Sequence, residues 1–453
     1  MFEHVEAYPG DPIFAIVDAF NKDTRPGKVN VSIGLYYDGE GRIPVLSSVR
    51  KAEARRAQNT EPRSYQPIEG AANYRQAVQE LVFGAGHEAV RSKRIATIQT
   101  IGGSGALKVG GDFLKRYFPD SEVFVSDPTW DNHRSLFQFA GFRINDYPYY
   151  DAATGGVRFA EMLQALKAMP EKSIVLLHPC CHNPTGVDLT REQWAEIIPI
   201  VAARRLIPFM DMAYQGFGDG IEEDAHAVRA MADAGISFFV SNSFSKNLSW
   251  YGERCGGLSV VCASAAEAER VLGQLKFTIR ANYSSPPTYG GQVAAMVMTD
   301  PALRREWEDE VAEMRVRIKA MRQRLYDVLT ARVQDRDFGY LLSQRGMFSY
   351  TGLTAAQVDR LREDFAVYLV RSGRMCVAGV NEHNVATVAE AMAAVGRVPA
   401  RLNPAGLTSK KRTGGRLPVA NGRYWTEPTS VVWSSRIETQ RPVCSLDWRF
   451  RYR

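Results

Sequence analysis

The chain has no apolar run approaching the roughly 20 residues a membrane-spanning helix needs. Its best candidates, around 197–201 and 206–210, are separated by Arg204 and Arg205. The start, Met1-Phe-Glu-His-Val-Glu, lacks a basic segment followed by an apolar core, so no secretory leader is expected. Cysteine is scarce. Cys180, Cys181, Cys255, Cys262, Cys376 and Cys444 form no CxxC pair and no regular spacing. That argues against a disulfide framework or a zinc site, and for reduced, mostly buried thiols in a cytoplasmic protein. Surplus positive charge is also missing from most of the chain. The net charge is +6, but residues 397–453 hold 12 Lys/Arg against 3 Asp/Glu, leaving −3 for residues 1–396. The body therefore gives no case for a nucleic-acid or membrane partner.

What is present is a repeating pattern. Residues 1–30 read as an arm, 29–37 as a strand, and 47–58 and 71–83 as helices. From residue 96, short apolar strands alternate with amphipathic helices: strands at 97–100, 123–126, 174–177, 207–212, 238–242 and 258–262, and helices such as 106–117 and 191–203. Thr190 with Gln193 forms a capping-box signature for the latter. Such alternation predicts an α/β fold with a mostly parallel sheet covered by helices. Trp307, Val311, Met314, Ile318, Met321, Leu325 and Val328 follow helical spacing and read as core. The stretch 397–453 loses periodicity in favour of Arg, Ser, Thr, Pro and Gly, and is expected to be a disordered extension.

Five motifs sit at or just after predicted strand ends, the edge where open parallel sheets bind ligands. Ile101-Gly-Gly-Ser104-Gly opens a helix, which suits an anion; read alone, it fits a tight turn equally well. Asp127-Pro-Thr-Trp130 supplies an aromatic, either as core or to stack on a flat ring. His178-Pro-Cys-Cys-His-Asn183-Pro-Thr-Gly186 is either a structural turn or the donor of an amide. Asp211-Met-Ala-Tyr214 puts a carboxylate at the end of an apolar strand, where it needs hydrogen bonds or a cationic partner such as a protonated pyridine nitrogen. Last comes Ser243-Phe-Ser245-Lys246, with Arg254 eight residues on. A desolvated lysine amine condenses with aldehydes, while hydroxyls and a guanidinium suit a phosphate. An aldehyde and a phosphate in one ligand make pyridoxal phosphate the natural candidate.

With these motifs in this order, joined by Ser-Ile-Gly34-Leu-Tyr, Ser64-Tyr65, Arg280-Ala-Asn-Tyr-Ser-Ser-Pro-Pro and Ser-Gly-Arg374-Met-Cys-Val-Ala-Gly, residues 1–396 resemble fold-type I pyridoxal-phosphate aminotransferases of the aspartate/aromatic subgroup. The wording Ser-Ile-Gly-Leu-Tyr-Tyr, His-Pro-Cys-Cys-His-Asn and Gly-Gly-Ser-Gly-Ala-Leu-Lys-Val-Gly is most similar to the bacterial aromatic-amino-acid (tyrosine) members. The resemblance implies that Lys246 carries the cofactor and moves a proton, with Asp211 on the ring nitrogen, Trp130 stacked on the ring, and Asn183 and Tyr214 on the ring oxygen. It assigns Gly103, Ser104, Ser243, Ser245 and Arg254 to the phosphate. Arg374 is assigned to the substrate α-carboxylate, with Gly34, Trp130 and Asn183 beside it. Tyr65 and Arg280 are expected to serve the neighbouring subunit's site, on the phosphate and on a distal carboxylate respectively, which makes the active unit a homodimer.

The implied activity is reversible amino transfer between tyrosine or phenylalanine, with aspartate also accepted, and 2-oxoglutarate. An aspartate aminotransferase with little aromatic activity is the alternative. A regulator pairing this fold with a DNA-binding module is a third reading, for which no helix-turn-helix pattern is found. The expected organisation is an arm and part of a small domain at 1–43, a large cofactor-binding domain at 44–313, the rest of the small domain at 314–396, and a basic tail at 397–453 whose removal leaves activity intact.

Overall fold

The structure is a computed structural model describing residues 1–396 apart from Pro9, Glu61 and Arg63. The predicted disordered tail, 397–453, lies outside the described residues. The described residues form one compact unit. At its centre are seven strands: β1 (Ile95–Ile101), β2 (Val123–Asp127), β3 (Ile144–Pro148), β4 (Ile174–Leu177), β5 (Ile207–Met212), β6 (Phe238–Ser243) and β7 (Cys255–Val261). Their spatial order is β1-β7-β6-β5-β4-β2-β3. From β3 through to β6 the pairs are parallel, whereas β7 is antiparallel to both β6 and β1. The reversal follows from chain length: the connection 244–254 is too short for the crossover that a parallel pair requires. Strands β4, β6 and β7 are buried along their whole length, as expected for a sheet covered on both faces.

The strand expected at 29–37 is only Val29–Asn30, paired in parallel with Val367–Tyr368. Beyond it the backbone finds individual partners instead of a ladder: Tyr36 N donates to the Tyr251 hydroxyl at 2.8 Å, and the Ser32 carbonyl accepts from Arg374 Nη2 at 2.9 Å. Strand β3 was not expected, because Asn145 and Asp146 interrupt its apolar pattern; it is the sheet's edge, where one side needs no apolar cover.

Helices match the periodicity more closely. Arg191–Ala203 starts with the reciprocal Thr190/Gln193 capping box. The helix expected from residue 106 begins at Gly102, so the glycines form its first turn. Pro301–Arg332 buries Trp307, Val311, Met314, Ile318, Met321 and Leu325, with Val328 half-buried beside fully buried Leu329. Each such side chain contributes about 1.5–3 kcal/mol of transfer free energy. Arg322 lies buried within this stripe.

The five described cysteines are free and buried. Cys180, Cys181 and Asp224 bring ligand-type atoms within 4.8 Å of one another. The Asp224 carboxylate accepts from the backbone N–H groups of Gly216, Gly218 and Asp219. No described helix is long and apolar enough to cross a membrane.

Candidate active site

A cavity of about 810 Å³ opens where the parallel strands end. Its walls include Gly34, Gly103, Ser104, Trp130, Asn183, Asp211, Tyr214, Ser243, Ser245, Lys246, Arg254 and Arg374, so the structure gathers twelve of the expected residues in one place. Tyr65 and Arg280 are not among its walls. Tyr65 is 93% exposed, and Arg280 is exposed with its guanidinium on the Ser284 hydroxyl.

One end of the cavity is built for an anion. Helix Gly102–Tyr117 has no side-chain cap, which leaves its first-turn N–H groups for a ligand. Gly102 has φ +67°, and a Cβ there would sit 2.7 Å from Arg254 Nη2, in the cradle itself. Arg254 Nη1 donates to Ser245 Oγ at 3.3 Å and to the Tyr251 carbonyl at 3.0 Å. The register pairs Cys255 with Ile101, so the residue before β7 meets the residue after β1.

At the end of β5, Asp211 accepts from Ser241 Oγ at 2.6 Å, and His133 Nε2 lies 3.0 Å from its other oxygen. Burial pushes the Asp211 carboxyl upward, but the bond to and charge of His133, with the bond from Ser241, hold it below the ordinary carboxylate value. His133 Nδ1 is 2.8 Å from Thr129 Oγ1. Burial and the charge of His133 lower His178 to about 3, so its imidazole is neutral at physiological pH. A carboxylate held ionised at the cavity floor suits a cationic nitrogen in a bound ring.

Lys246 Nζ lies 4.9 Å from the centroid of the Tyr214 ring. Burial lowers its amine to about 8; Asp211 opposes the shift, while Arg254 and Arg374 add to it. The neutral fraction near pH 7 is thereby raised to roughly a tenth, and the neutral amine is the form that acts as nucleophile or base. The fourth group is Arg374. Its Nη1 donates to Asn183 Oδ1 at 3.3 Å and its Nη2 to the Ser32 carbonyl, while among the described residues Nε has no hydrogen-bond partner. Asn183 Nδ2 also donates to the Tyr214 hydroxyl at 3.3 Å.

These groups fit pyridoxal phosphate: an uncapped helix start with two serines and an arginine for its phosphate, a buried carboxylate for its ring nitrogen, an amide and a phenol for its ring oxygen, and a depressed amine for its aldehyde.

Sequence reasoning missed several contributors. His133, Thr129 and Ser241 build the surroundings of Asp211, and Phe348 lies under Arg374 with its ring centroid 4.6 Å from the guanidinium carbon. His133 had a legible signal, since it follows Trp130 by three residues on an amphipathic helix and is fully buried. Tyr8, Asp11 and Phe14, taken only as part of an arm, also line the cavity.

The family described as "Aminotransferase class I and II" matches residues 26–392. Aromatic-amino-acid aminotransferase of Escherichia coli (strain K12) is 61% identical over 398 residues, covering 87% of this chain and all of that relative. Aspartate aminotransferase of Pseudomonas aeruginosa is 53% identical over 395 residues, 87% of this chain and 99% of its own length. Among solved structures, the aromatic-amino-acid aminotransferase from Burkholderia pseudomallei covalently bound to pyridoxal phosphate superposes with a TM-score of 0.86 at 53% identity, covering 87% of this chain and 99% of that one.

Proposed function

The chain belongs to the class I and II aminotransferases, and from that premise we propose that it is a pyridoxal-phosphate-dependent aromatic-amino-acid aminotransferase. It moves the amino group reversibly between tyrosine or phenylalanine, and also aspartate, and 2-oxoglutarate. The observation that carries this reading is the convergence of Lys246, Asp211 and Arg374 on one cavity whose walls also include Ile33, Leu107 and Phe348. The apolar members give an aromatic side chain a surface to bury against.

When bound, the cofactor supplies an aldehyde and a cationic ring that accepts the electron pair of a breaking Cα–H bond. The chain's own residues do the rest. Arg374 grips the α-carboxylate as a two-pronged fork, turning the Cα–H bond toward Lys246. Once the incoming amino group has displaced it, Lys246 Nζ would carry the proton from Cα to the carbon of the cofactor's aldehyde group, and back again in the reverse direction. Asp211, kept ionised by His133 and Ser241, holds the proton on the ring nitrogen. Trp130 stacks on the ring, and Asn183 and Tyr214 hold its oxygen. Gly103, Ser104, Ser243, Ser245 and Arg254 bind the phosphate, and Gly34 borders the substrate.

We propose that the active unit is a cytoplasmic homodimer in which Tyr65 and Arg280, both exposed in the single chain, enter the neighbouring copy's cavity. We also propose the division expected from sequence, with 44–313 bearing the cofactor and 1–43 with 314–396 carrying Arg374. The experiment for the activity is a comparison of kcat/KM for phenylalanine and tyrosine with that for aspartate, using 2-oxoglutarate as acceptor. Comparable or higher aromatic values support the proposal. Negligible aromatic turnover favours the aspartate enzyme, in line with the Pseudomonas aeruginosa relative.

A further inference from the structure

Arg322 interrupts the apolar stripe of helix Pro301–Arg332 and is 3% exposed. Among the described residues it has no carboxylate partner, and its Nε has no hydrogen-bond partner at all. Burial lowers it to about 10, which still leaves it cationic at neutral pH. Packing does not explain such a residue, because a methionine fills similar space without desolvating a charge. What a guanidinium adds is a rigid fork that holds several acceptors in one geometry.

All four of its acceptors lie on one stretch. Nη1 donates to the Leu341 carbonyl at 3.2 Å and to Ser349 Oγ at 2.7 Å; Nη2 donates to the Gly346 carbonyl at 2.9 Å and to the Phe348 carbonyl at 2.5 Å. This stretch leads into strand Phe348–Tyr350, which is antiparallel to Arg374–Cys376 with Tyr350 opposite Arg374. The Phe348 ring lies beneath the Arg374 guanidinium and edge-on to Tyr214, with centroids 5.7 Å apart. A Cβ on Gly34 would come within 2.8 Å of that ring, and one on Gly186 within 2.4 Å of the Phe348 carbonyl. Phe348 is thus closely packed between Gly34 in the cavity wall and the turn bearing Asn183.

We infer that Arg322 is a positioning residue for substrate binding: by fixing the Phe348 carbonyl and ring, it sets the direction in which Arg374 presents its fork to the substrate carboxylate. The inference rests on the reading of Arg374 as the carboxylate-binding group. Arg322 touches no reacting atom, so its loss acts on binding more than on proton transfer at Lys246.

The test uses the dimeric holoenzyme and the variants Arg322→Lys, Ser349→Ala and Phe348→Leu, with Arg374→Ala as control. The expected result for Arg322→Lys is a KM for both phenylalanine and 2-oxoglutarate raised about tenfold, with kcat changed far less. Binding of 3-phenylpropionate, which is phenylalanine without its amino group, weakens in parallel by calorimetry. Ser349→Ala moves both quantities the same way by less, and decides the matter if Arg322→Lys does not fold. Phe348→Leu reproduces the effect, and combining it with Arg322→Lys adds little further. Unchanged KM and 3-phenylpropionate affinity in Arg322→Lys and Ser349→Ala, alongside lowered thermal stability, overturn the inference. If Arg374→Ala itself leaves carboxylate binding intact, the reading of the site fails first.

Discussion

His133 Nε2 lies 3.0 Å from Asp211 Oδ2, and the bond joins the first helical turn after Trp130 to the end of the fourth parallel strand of the row. It holds the Asp211 carboxyl below its usual value against the upward push of burial. A carboxylate depressed in the folded state stabilises above its unfolded pKa, and the contribution is lost as pH falls through the folded value. Replacing His133 by Leu removes the imidazole's bond to the carboxylate, so the loss begins at higher pH. The acid limb of the kcat/KM profile is expected to move to higher pH, and thermal stability to fall earlier on acidification. Superimposable profiles for the variant and the wild type would disprove the coupling.

Lys246 gives a second pH dependence, opposite in origin. Its amine is lowered by burial from 10.5 to about 8. Between those values the unfolded chain binds more protons than the folded one, so the cofactor-free protein gains stability as pH rises through that window. Lys246→Met removes the buried charge. The expected outcome is a cofactor-free variant that melts above wild type at neutral pH, with the gap closing as pH rises beyond 8. Thermal unfolding across that range checks it, and a constant gap counts against the shift.

Gly102→Ala probes the anion cradle. Alanine at φ +67° is strained by about 1 kcal/mol, and its methyl would press on the Arg254 guanidinium. Affinity of the cofactor-free chain for pyridoxal phosphate, measured by absorbance titration, is expected to fall at least about tenfold. Retention of full affinity would mean that Arg254 moves aside without consequence.

The proposed sharing of sites makes a prediction about mixtures. Lys246→Ala and Arg280→Ala chains are each deficient when alone, the latter chiefly with 2-oxoglutarate. Unfolding and refolding them together should restore activity, because one site of a hybrid dimer combines Lys246 from one chain with Arg280 from the other. Sedimentation establishes the dimer, and no recovery in a mixture of confirmed dimers excludes the shared site.

The central sheet and cavity were legible because strand ends and chemistry coincide: Asp211 ends an apolar run, and Asn183 and Lys246 follow theirs by a few residues. Glycines at 102–105 were legible as an opening suited to an anion, although not as the helix's own first turn. Other features depend on contacts that a linear pattern does not carry. His133 looks like any polar residue on an amphipathic helix until Asp211 is placed against it. Arg322 belongs to the same kind, since helical spacing marks its neighbours as core but does not say which carbonyls face it. Strand β3 was hidden because an edge tolerates polar residues at positions that a central strand would fill with apolar ones.

The reversed strand β7 has one more consequence. Lys246 and Arg254 sit on a single short return between β6 and β7, with both ends of that return fixed in the sheet by the pairing of Gly256 with Ser243. Each end is a boundary that the sheet does not let slide. The two residues are thereby placed as one unit. An inserted residue would alter the span between amine and guanidinium, because neither end of the return can slide to absorb it.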